Sequence, residues 1–323
     1  MIADRLMVAP EVAAAVADGR PVVALESTLI SHGLPYPQNL EVARASEAAV
    51  RESGAVPATV AIHAGRLLVG LEEAALESLA TAPAGSVLKA ARPSLAAALA
   101  RGGWAATTVS ATMIAAHAAG IRVFATGGIG GVHRGALAGS GGAAPTLDVS
   151  SDLEELGRTP MVVVCAGPKA ILDVPATLEY LETHGVPVIT IGQDELPGFY
   201  ARSSGLASPE TAPDVAGAAA IAHVHLELAL GGVLVCVPAP EAAALAGDVA
   251  RAAVERAVRE ADEAGIHGPA TTPWLLARVA AITGGASIRA NTALIINDAR
   301  VAGQLAARLA VAIESDSRIS PGH

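Results

Sequence analysis

Lysine, cysteine and aromatic residues are scarce in this sequence of 323 residues. Two of its 21 basic residues are lysines, aromatic residues make up 2% of the chain, and the net charge is −10. A nucleic-acid-binding surface needs basic patches and aromatic rings on which bases can stack. The composition therefore argues against a nucleic-acid partner, although a small anionic substrate needs only a local cationic pocket.

The two cysteines, Cys165 and Cys236, each lie within an apolar run. We expect them to be buried, reduced thiols rather than a disulfide or a pair of metal ligands. The N-terminal residues lack the order of charged segment, apolar segment and cleavage site that a signal peptide has. The best candidate for a membrane span, Gly102 to Ile121, contains His117 and four hydroxyl residues, which do not suit a lipid-facing helix. We therefore expect a cytoplasmic protein without membrane contact.

Apolar runs bounded by glycine or proline alternate with helical stretches along the chain. This alternation predicts an α/β fold, a three-layer α/β/α architecture with a largely parallel (mixed) central sheet. We expect a single domain over residues 1–312, a disordered tail over 313–323 and a flexible surface loop over 136–147. The predicted helices include residues 169–183 and 241–264.

Lys169 follows a strand and a glycine turn in "VVVCAGPKAI", and the pattern places it near the start of the predicted helix. Open α/β sheets bind ligands at the carboxyl ends of their strands. A surface lysine is the ordinary explanation, but most surface positions in this chain evidently accept arginine. A deprotonated amine can form a Schiff base with a carbonyl, which a guanidinium cannot do. Lys169 is therefore a candidate nucleophile.

Glu26 ends a strand that is otherwise buried and apolar, a position where a glutamate is seldom structural unless it is paired. Burial would raise its pKa and suit it to proton donation. The glycine-rich segment "ATGGIGGVHRG" also follows a strand and could cradle an anion, but a structural turn is equally compatible with it. His133 in this segment is either a ligand contact or a polar surface residue.

The segment "DVSSDLEEL" places Asp148 and Asp152 four residues apart. Ser150 or Ser151 could simply cap the helix that follows. Alternatively, one carboxylate holds a divalent cation while the serine hydroxyls and helix amides bind phosphate. Asn291, at an expected helix start, has an N-cap as its default explanation.

Several long stretches, in this order, resemble the pseudouridine-5′-phosphate glycosidase family, which includes the indigoidine synthase A-like proteins. They extend from about Leu25 to Ala299, which is nearly the whole chain. The matching stretches are "ALESTLISHGLPYPQNLEVA", "PATVAIHAG", "ATTVSATMIAAHAAGIRVFATGGIGGVHRG", "DVSSDLEEL", "CAGPKAILDVPATLEYLETHGVPV" and "ANTALIINDA".

The resemblance implies a role for each matching residue. It makes Lys169 the nucleophile, Glu26 the proton donor and Asp148 the ligand of one Mn²⁺ per subunit. The residues that it implies for substrate binding are Lys89 at the phosphate, the backbone of Val109, Ser150, Ser151 and Asp152, Asn291 at the base, and Thr126 and His133 from the glycine-rich segment.

The implied reaction is reversible cleavage of the C–C glycosidic bond of pseudouridine 5′-phosphate to uracil and ribose 5-phosphate, within a homotrimer. Opening the ribose ring lets an amine add at C1′, and the resulting imine accepts electrons while C5 of uracil is protonated. Two other hypotheses remain: a Schiff-base lyase that acts on another sugar phosphate, and a non-catalytic accessory protein of a pigment pathway. The run "ARPSL" and the long 136–147 loop depart from the family pattern and bear on substrate preference.

Overall fold

The structure is a computed structural model that describes residues 2–137, 139, 144–266, 268 and 271–319. The strands are β1 (Leu6–Val8), β2 (Val22–Leu25), β3 (Val56–His63), β4 (Arg66–Val69), β5 (Leu88–Ala90), β6 (Ala105–Thr107), β7 (Val123–Ala125), β8 (Val162–Cys165), β9 (Val188–Ile191), β10 (Glu210–Ala212) and β11 (Val233–Cys236). The α-helices are α1 (Pro10–Ala17), α2 (Gln38–Glu52), α3 (Glu73–Ala80), α4 (Leu95–Arg101), α5 (Val109–Ala118), α6 (Ser151–Leu156), α7 (Val174–Thr183), α8 (Val215–Glu227), α9 (Gly247–Glu263), α10 (Thr271–Ile282) and α11 (Ala286–Ile319).

The central sheet is mixed and mostly parallel, as the sequence predicts. Its strand order is β1-β4-β3-β2-β7-β8-β11-β9-β10, with β6 pairing with the far half of β3 and with β5. All pairs from β3 to β10 along this order are parallel. The hairpin of β3 with β4 and the pairing of β3 with β6 are antiparallel. The carboxyl ends of the parallel strands therefore meet at one edge.

Helices cover both faces of the sheet. Because successive side chains of a strand point to opposite faces, Val163 and Cys165 of β8 pack into one core while Val162 and Val164 pack into the other. Residues of α1, α5, α6 and α7 belong to the first core, and residues of α2, α8 and α11 belong to the second. This arrangement confirms the three-layer prediction.

The two cysteines are buried and free, as predicted. They are register partners on the neighbouring strands β8 and β11. In the part of the chain that the structure describes, no single helix is long and apolar enough to cross a membrane, and only the pair α10 and α11, bent by 117°, passes that length and composition test together.

The prediction of a helix over residues 169–183 is wrong at its start. Helix α7 begins at Val174, and the Asp173 carboxylate caps it by accepting the Ala176 amide at 3.1 Å. Pro175 suits the first turn because the amide it lacks has no intrahelical partner there. Lys169 therefore lies in the loop between β8 and α7 rather than at a helix N-terminus.

Three other boundaries differ from the prediction. Helix α9 begins at Gly247 rather than at 241. Helix α11 begins at Ala286, directly after two glycines with positive φ, so Asn291 lies inside this helix and is not an N-cap. The same helix continues to Ile319, past the expected start of the tail, and residues 320–323 lie outside the described residues. Of the expected 136–147 loop, positions 138 and 140–143 also lie outside the described residues.

Candidate active site

The predicted catalytic residues meet where three neighbouring parallel strands end. Glu26 follows β2, and Thr126 follows β7. The register pairs Leu25 with Ala125, so the next residues, Glu26 and Thr126, lie opposite each other. The Thr126 hydroxyl donates a hydrogen bond to Glu26 Oε1.

Lys169 reaches the same place from the loop after β8. Its amine is half-buried and donates to the carbonyl of Gly128 at 2.7 Å. The loops after β7 and β8 run side by side beyond the sheet, which fixes the backbone that carries both groups. Their hydrogen bonds are Thr126 N–H to Val164 O (3.0 Å), Ala166 N–H to Gly127 O (3.2 Å), Ile129 N–H to Gly167 O (3.3 Å) and Lys169 N–H to Ile129 O (3.1 Å).

Burial raises the pKa of Glu26. The positive charge of Lys169 and the Thr126 hydroxyl oppose this shift, as does Lys89 more weakly, whereas the negative charge of Asp152 adds to it. The net effect favours the protonated carboxyl, which agrees with the proton-donor role expected from the sequence. Lys89, Lys169 and Asp152 therefore lie close enough to Glu26 for their charges to change its pKa.

Lys89 lies on β5, and the residue is exposed. Its pKa is lowered, first because protein surrounds much of its amine and second because of the positive charge of Lys169. Glu26 and Asp152 oppose this shift. The two lysines of the chain therefore lie at one site.

Asp152 is buried, with 6% of its surface exposed, and binds backbone amides. Its Oδ1 accepts the amide of Ser110, and its Oδ2 accepts the amide of Gly130, both at 3.0 Å. A Cβ at Gly130 would lie 2.8 Å from Oδ2 and 2.3 Å from Ser150 Oγ, so this close approach requires glycine. Asp152 thus holds the glycine-rich loop against the start of α5.

The N-termini of α5 and α6 lie side by side. Ser150 caps α6, as the sequence suggested, by accepting the Asp152 amide at 3.2 Å. The hydroxyls of Ser151 and Ser110 are 3.1 Å apart, and Ser110 follows Val109, the first residue of α5. Sequence reasoning missed Ser110, although the hydroxyl-rich run "TTVS" at a helix start was a usable signal.

Ser27 and Thr28, the two residues after Glu26, have structural roles. Ser27 Oγ accepts the Thr107 amide at 2.9 Å, and the Thr28 hydroxyl donates to the Thr107 carbonyl at 2.9 Å. Ser27 and Thr107 are both fully buried. These bonds tie the segment after Glu26 to the end of β6, which was not apparent from the sequence.

His133 and Asp148 lie together at the rim. Their nearest charged atoms, His133 Nδ1 and Asp148 Oδ2, are 3.9 Å apart, and the His133 amide donates to the Asp148 carbonyl at 3.0 Å. The Asp148 side chain is 42% exposed. Among the described residues, no group of three His, Cys, Asp or Glu side chains converges on a common point. A cation at Asp148 would therefore take most of its ligands from water or from a bound phosphate, which suits a hard divalent cation.

Asn291 lies in the second turn of α11. Ile295, one turn later on the same helical face, contacts the glycine-rich loop so closely that a Cβ at Gly127 would lie 2.6 Å from its Cγ1. Ile295 and Glu26 also line one small cavity. Asn291 therefore lies one helical turn before a residue that contacts the glycine-rich loop, and its role at the base stays a prediction.

Residues 11–308 match the indigoidine synthase A-like protein family. A protein from Paracoccus denitrificans named pseudouridine-5′-phosphate glycosidase is 55% identical over 306 residues, which cover 94% of this chain and 98% of that protein. A protein of the same name from Caldanaerobacter subterraneus subsp. tengcongensis is 52% identical over 93% of this chain and 95% of its own length.

Two solved structures share the fold. The crystal structure of the prealnumycin C-glycosynthase AlnA in complex with ribulose 5-phosphate has a TM-score of 0.86 and 40% identity, and the match covers 96% of this chain and 98% of that chain. An indigoidine synthase A-like protein from Thermotoga maritima has a TM-score of 0.82 and 32% identity, over 94% of this chain and 96% of that chain. The chain is therefore a member of the indigoidine synthase A-like protein family.

Proposed function

We propose that this protein cleaves the C–C glycosidic bond of pseudouridine 5′-phosphate to give uracil and ribose 5-phosphate, with Lys169 as the nucleophile and Glu26 as the proton donor. The observation that carries the proposal is that a half-buried carboxyl of raised pKa and a lysine amine lie at one sheet edge. The chain is also 50–55% identical to proteins named for this activity. A carbon leaving group needs this pair, because C5 of uracil is a poor anion and has to receive a proton.

The overall reaction adds one water molecule to the substrate, and each bond change has an assigned group. The neutral Lys169 amine forms a bond to C1′ while the C1′–O4′ bond of ribose breaks, and a proton from the attached nitrogen passes to O4′. Glu26 then gives its proton to C5 of uracil. The nitrogen lone pair forms the C1′=N bond, and the electrons of the C1′–C5 bond restore the double bond of uracil. Water adds to C1′ of the protonated imine and gives a proton back to Glu26, and cleavage of the C1′–N bond frees ribose 5-phosphate and the neutral amine.

The phosphate of the substrate would lie near Lys89. The Lys89 ammonium would supply a positive charge, and the Val109 amide at the start of α5 would supply a donor at the positive end of a helix. The hydroxyls of Ser150 and Ser151 lie beside this helix start through the contact of Ser151 with Ser110. The uracil base would then bind on the side of the site where Glu26 lies, with Asn291 facing it.

Asp148 would hold Mn²⁺, one ion per subunit. When bound, the ion supplies positive charge that orients anionic groups of the substrate. The Asp148 side chain is 42% exposed, so water and substrate oxygens could supply the other ligands of such an ion. We also infer a homotrimer from the family resemblance, which light scattering of the purified protein would test.

Borohydride trapping tests the proposal. The protein is incubated with Mn²⁺ and pseudouridine 5′-phosphate or ribose 5-phosphate, reduced, and mapped by mass spectrometry, while uracil release is followed separately. We expect a sugar-phosphate adduct on Lys169 that is lost in Lys169→Arg and retained in Lys89→Arg. The absence of both adduct and uracil would refute the proposal. An adduct formed with ribose 5-phosphate, without uracil release from pseudouridine 5′-phosphate, would instead indicate a lyase for another sugar phosphate.

A further inference from the structure

A strained turn contacts the loop that holds the Lys169 amine. In the turn that follows β9, the Gly198 amide donates to the Ala201 carbonyl at 3.0 Å, which closes a four-residue turn. Its second residue, Phe199, has a φ of +63°. This conformation favours glycine or asparagine and is unusual for a bulky side chain. Such strain persists only where the surrounding structure enforces it, and it is concentrated at functional sites.

The Phe199 ring is packed inside the protein rather than exposed. The residue is 3% exposed, and its ring meets the Tyr200 ring edge to face at 4.8 Å between centroids. The Tyr200 carbonyl accepts the Leu245 amide at 2.8 Å, and Ala201 also pairs with Leu245. These contacts hold the turn on its far side, so the strain at Phe199 cannot relax by movement of the turn alone.

The Phe199 ring presses against the residue whose carbonyl binds the nucleophile. A Cβ at Gly128 would lie 2.6 Å from Phe199 Cε2 and 2.8 Å from Cδ2, so the ring edge packs directly on the Gly128 backbone. The same Cβ would lie 2.9 Å from the carbonyl oxygen of Gly167, which is on the other loop. The ring and the Lys169 loop thus both pack against the Cα of Gly128, and the Gly128 carbonyl accepts a hydrogen bond from the Lys169 amine at 2.7 Å.

We propose that Phe199 is a positioning residue for the nucleophile: its ring fixes the Gly128 carbonyl, and the carbonyl fixes the direction from which the Lys169 amine reaches C1′. The Gly128 carbonyl accepts a proton of the amine and leaves the nitrogen lone pair free to attack. The role rests on the proposed Schiff-base function. It also explains why the turn has phenylalanine where its backbone favours glycine.

The test compares three substitutions with a strain-matched control. Phe199→Gly removes the ring and relieves the backbone, Phe199→Leu removes the ring edge but keeps apolar volume, and Phe199→Tyr keeps the Cδ2 and Cε2 atoms that contact Gly128. The control is Ala229→Gly, because Ala229 also has a positive φ, of 54°, but precedes β11 and lies at the opposite edge of the sheet. For each folded variant, cyanoborohydride trapping gives the rate constant of adduct formation at saturating ribose 5-phosphate, and its concentration dependence gives the apparent affinity.

We expect Phe199→Gly and Phe199→Leu to slow adduct formation by about 10- to 100-fold, the cost of a misplaced reacting group, while the affinity changes by less than about threefold. Phe199→Tyr should recover most of the rate, and Ala229→Gly should retain all of it. If Phe199→Gly does not fold, Phe199→Leu carries the test. Wild-type rates in both ring-deletion variants, or a loss confined to affinity, would overturn the positioning role. If the wild-type protein itself forms no adduct on Lys169, the proposed function fails instead.

Discussion

Removing the hydroxyl of Thr126 tests whether the protein holds Glu26 ready as an acid. This hydroxyl donates to Glu26 Oε1 and so stabilises the ionised carboxylate. It is one of the influences that oppose the rise in pKa caused by burial. Thr126→Val deletes the donor while nearly preserving the shape of the side chain, and Thr126 is 4% exposed, so water gains little access.

The expected shift follows from the energy of that bond. A hydrogen bond to a charged group contributes about 1.5 to 3 kcal/mol. Because Glu26 is only half-buried, we take the lower end, and about 1.4 kcal/mol corresponds to one pKa unit. The donor stabilises the charged form, so its loss raises the pKa of Glu26 further, by about one unit.

Difference infrared spectroscopy measures this shift directly. The stretch of the protonated carboxyl is titrated with pH, and the signal is assigned to Glu26 by its absence in Glu26→Gln. Thr126→Ser, which keeps the hydroxyl, serves as the control and should titrate like the wild-type protein. An unchanged or lowered pKa in Thr126→Val would refute the idea that this hydrogen bond opposes burial at Glu26.

Three further predictions concern the phosphate, the metal and the core. Lys89→Arg should raise KM for pseudouridine 5′-phosphate about tenfold or more and change kcat less than threefold, because the substitution perturbs a charge-assisted contact with the phosphate. Steady-state kinetics in which only kcat falls would contradict this prediction. Chelation of the metal should abolish activity, and Mn²⁺ should restore it. Asp148→Asn should need at least about tenfold more Mn²⁺ for the same activity. Undiminished activity after exhaustive chelation would contradict a role for the metal. Asp298 is 1% exposed, and burial raises its pKa well above the usual value. Above the unfolded-state pKa of this group, the folded state therefore binds more protons than the unfolded state, and the free energy of unfolding should fall as the pH rises. Asp298→Asn should remove this dependence and stabilise the protein by about 1–3 kcal/mol at pH 8 but little at pH 4, as measured by urea unfolding; equal stability at both pH values would contradict it.

The sequence pattern predicts the layers of the fold but not the pairing within them. Alternating apolar and helical runs indicate a parallel sheet, and strand ends are expected to carry Glu26 and Lys169. The contact between Glu26 and Thr126 depends on the register of β2 against β7, and local periodicity does not specify which residues of two neighbouring strands align. A shift of one residue would turn one of the two side chains to the other face.

Local signals existed for two of the boundaries that were predicted wrongly. Asp173 followed by Val174 and Pro175 is a typical helix start, which would have placed Lys169 in a loop. Gly284 and Gly285 mark a break before α11 and would have placed Asn291 inside a helix. Phe199 carried no such signal, because its positive φ arises from contacts with distant parts of the chain. Its strain could be found only from the tertiary structure.

The meeting of both lysines at one site gives a physical reason for each amine. In the proposed reaction, Lys169 has to lose its proton before it can attack C1′, and an arginine does not lose its proton in proteins. Lys89 lies close enough to Lys169 for the two charges to interact, and its pKa is lowered. An arginine at 89 would stay fully charged beside Lys169 in the absence of phosphate.

The nearby Arg92 is compatible with the site because its guanidinium is bound by the buried Glu155 carboxylate. The charge of the Arg92 guanidinium is thus compensated by the Glu155 carboxylate, whereas the Lys89 ammonium is available to the phosphate of the proposed substrate.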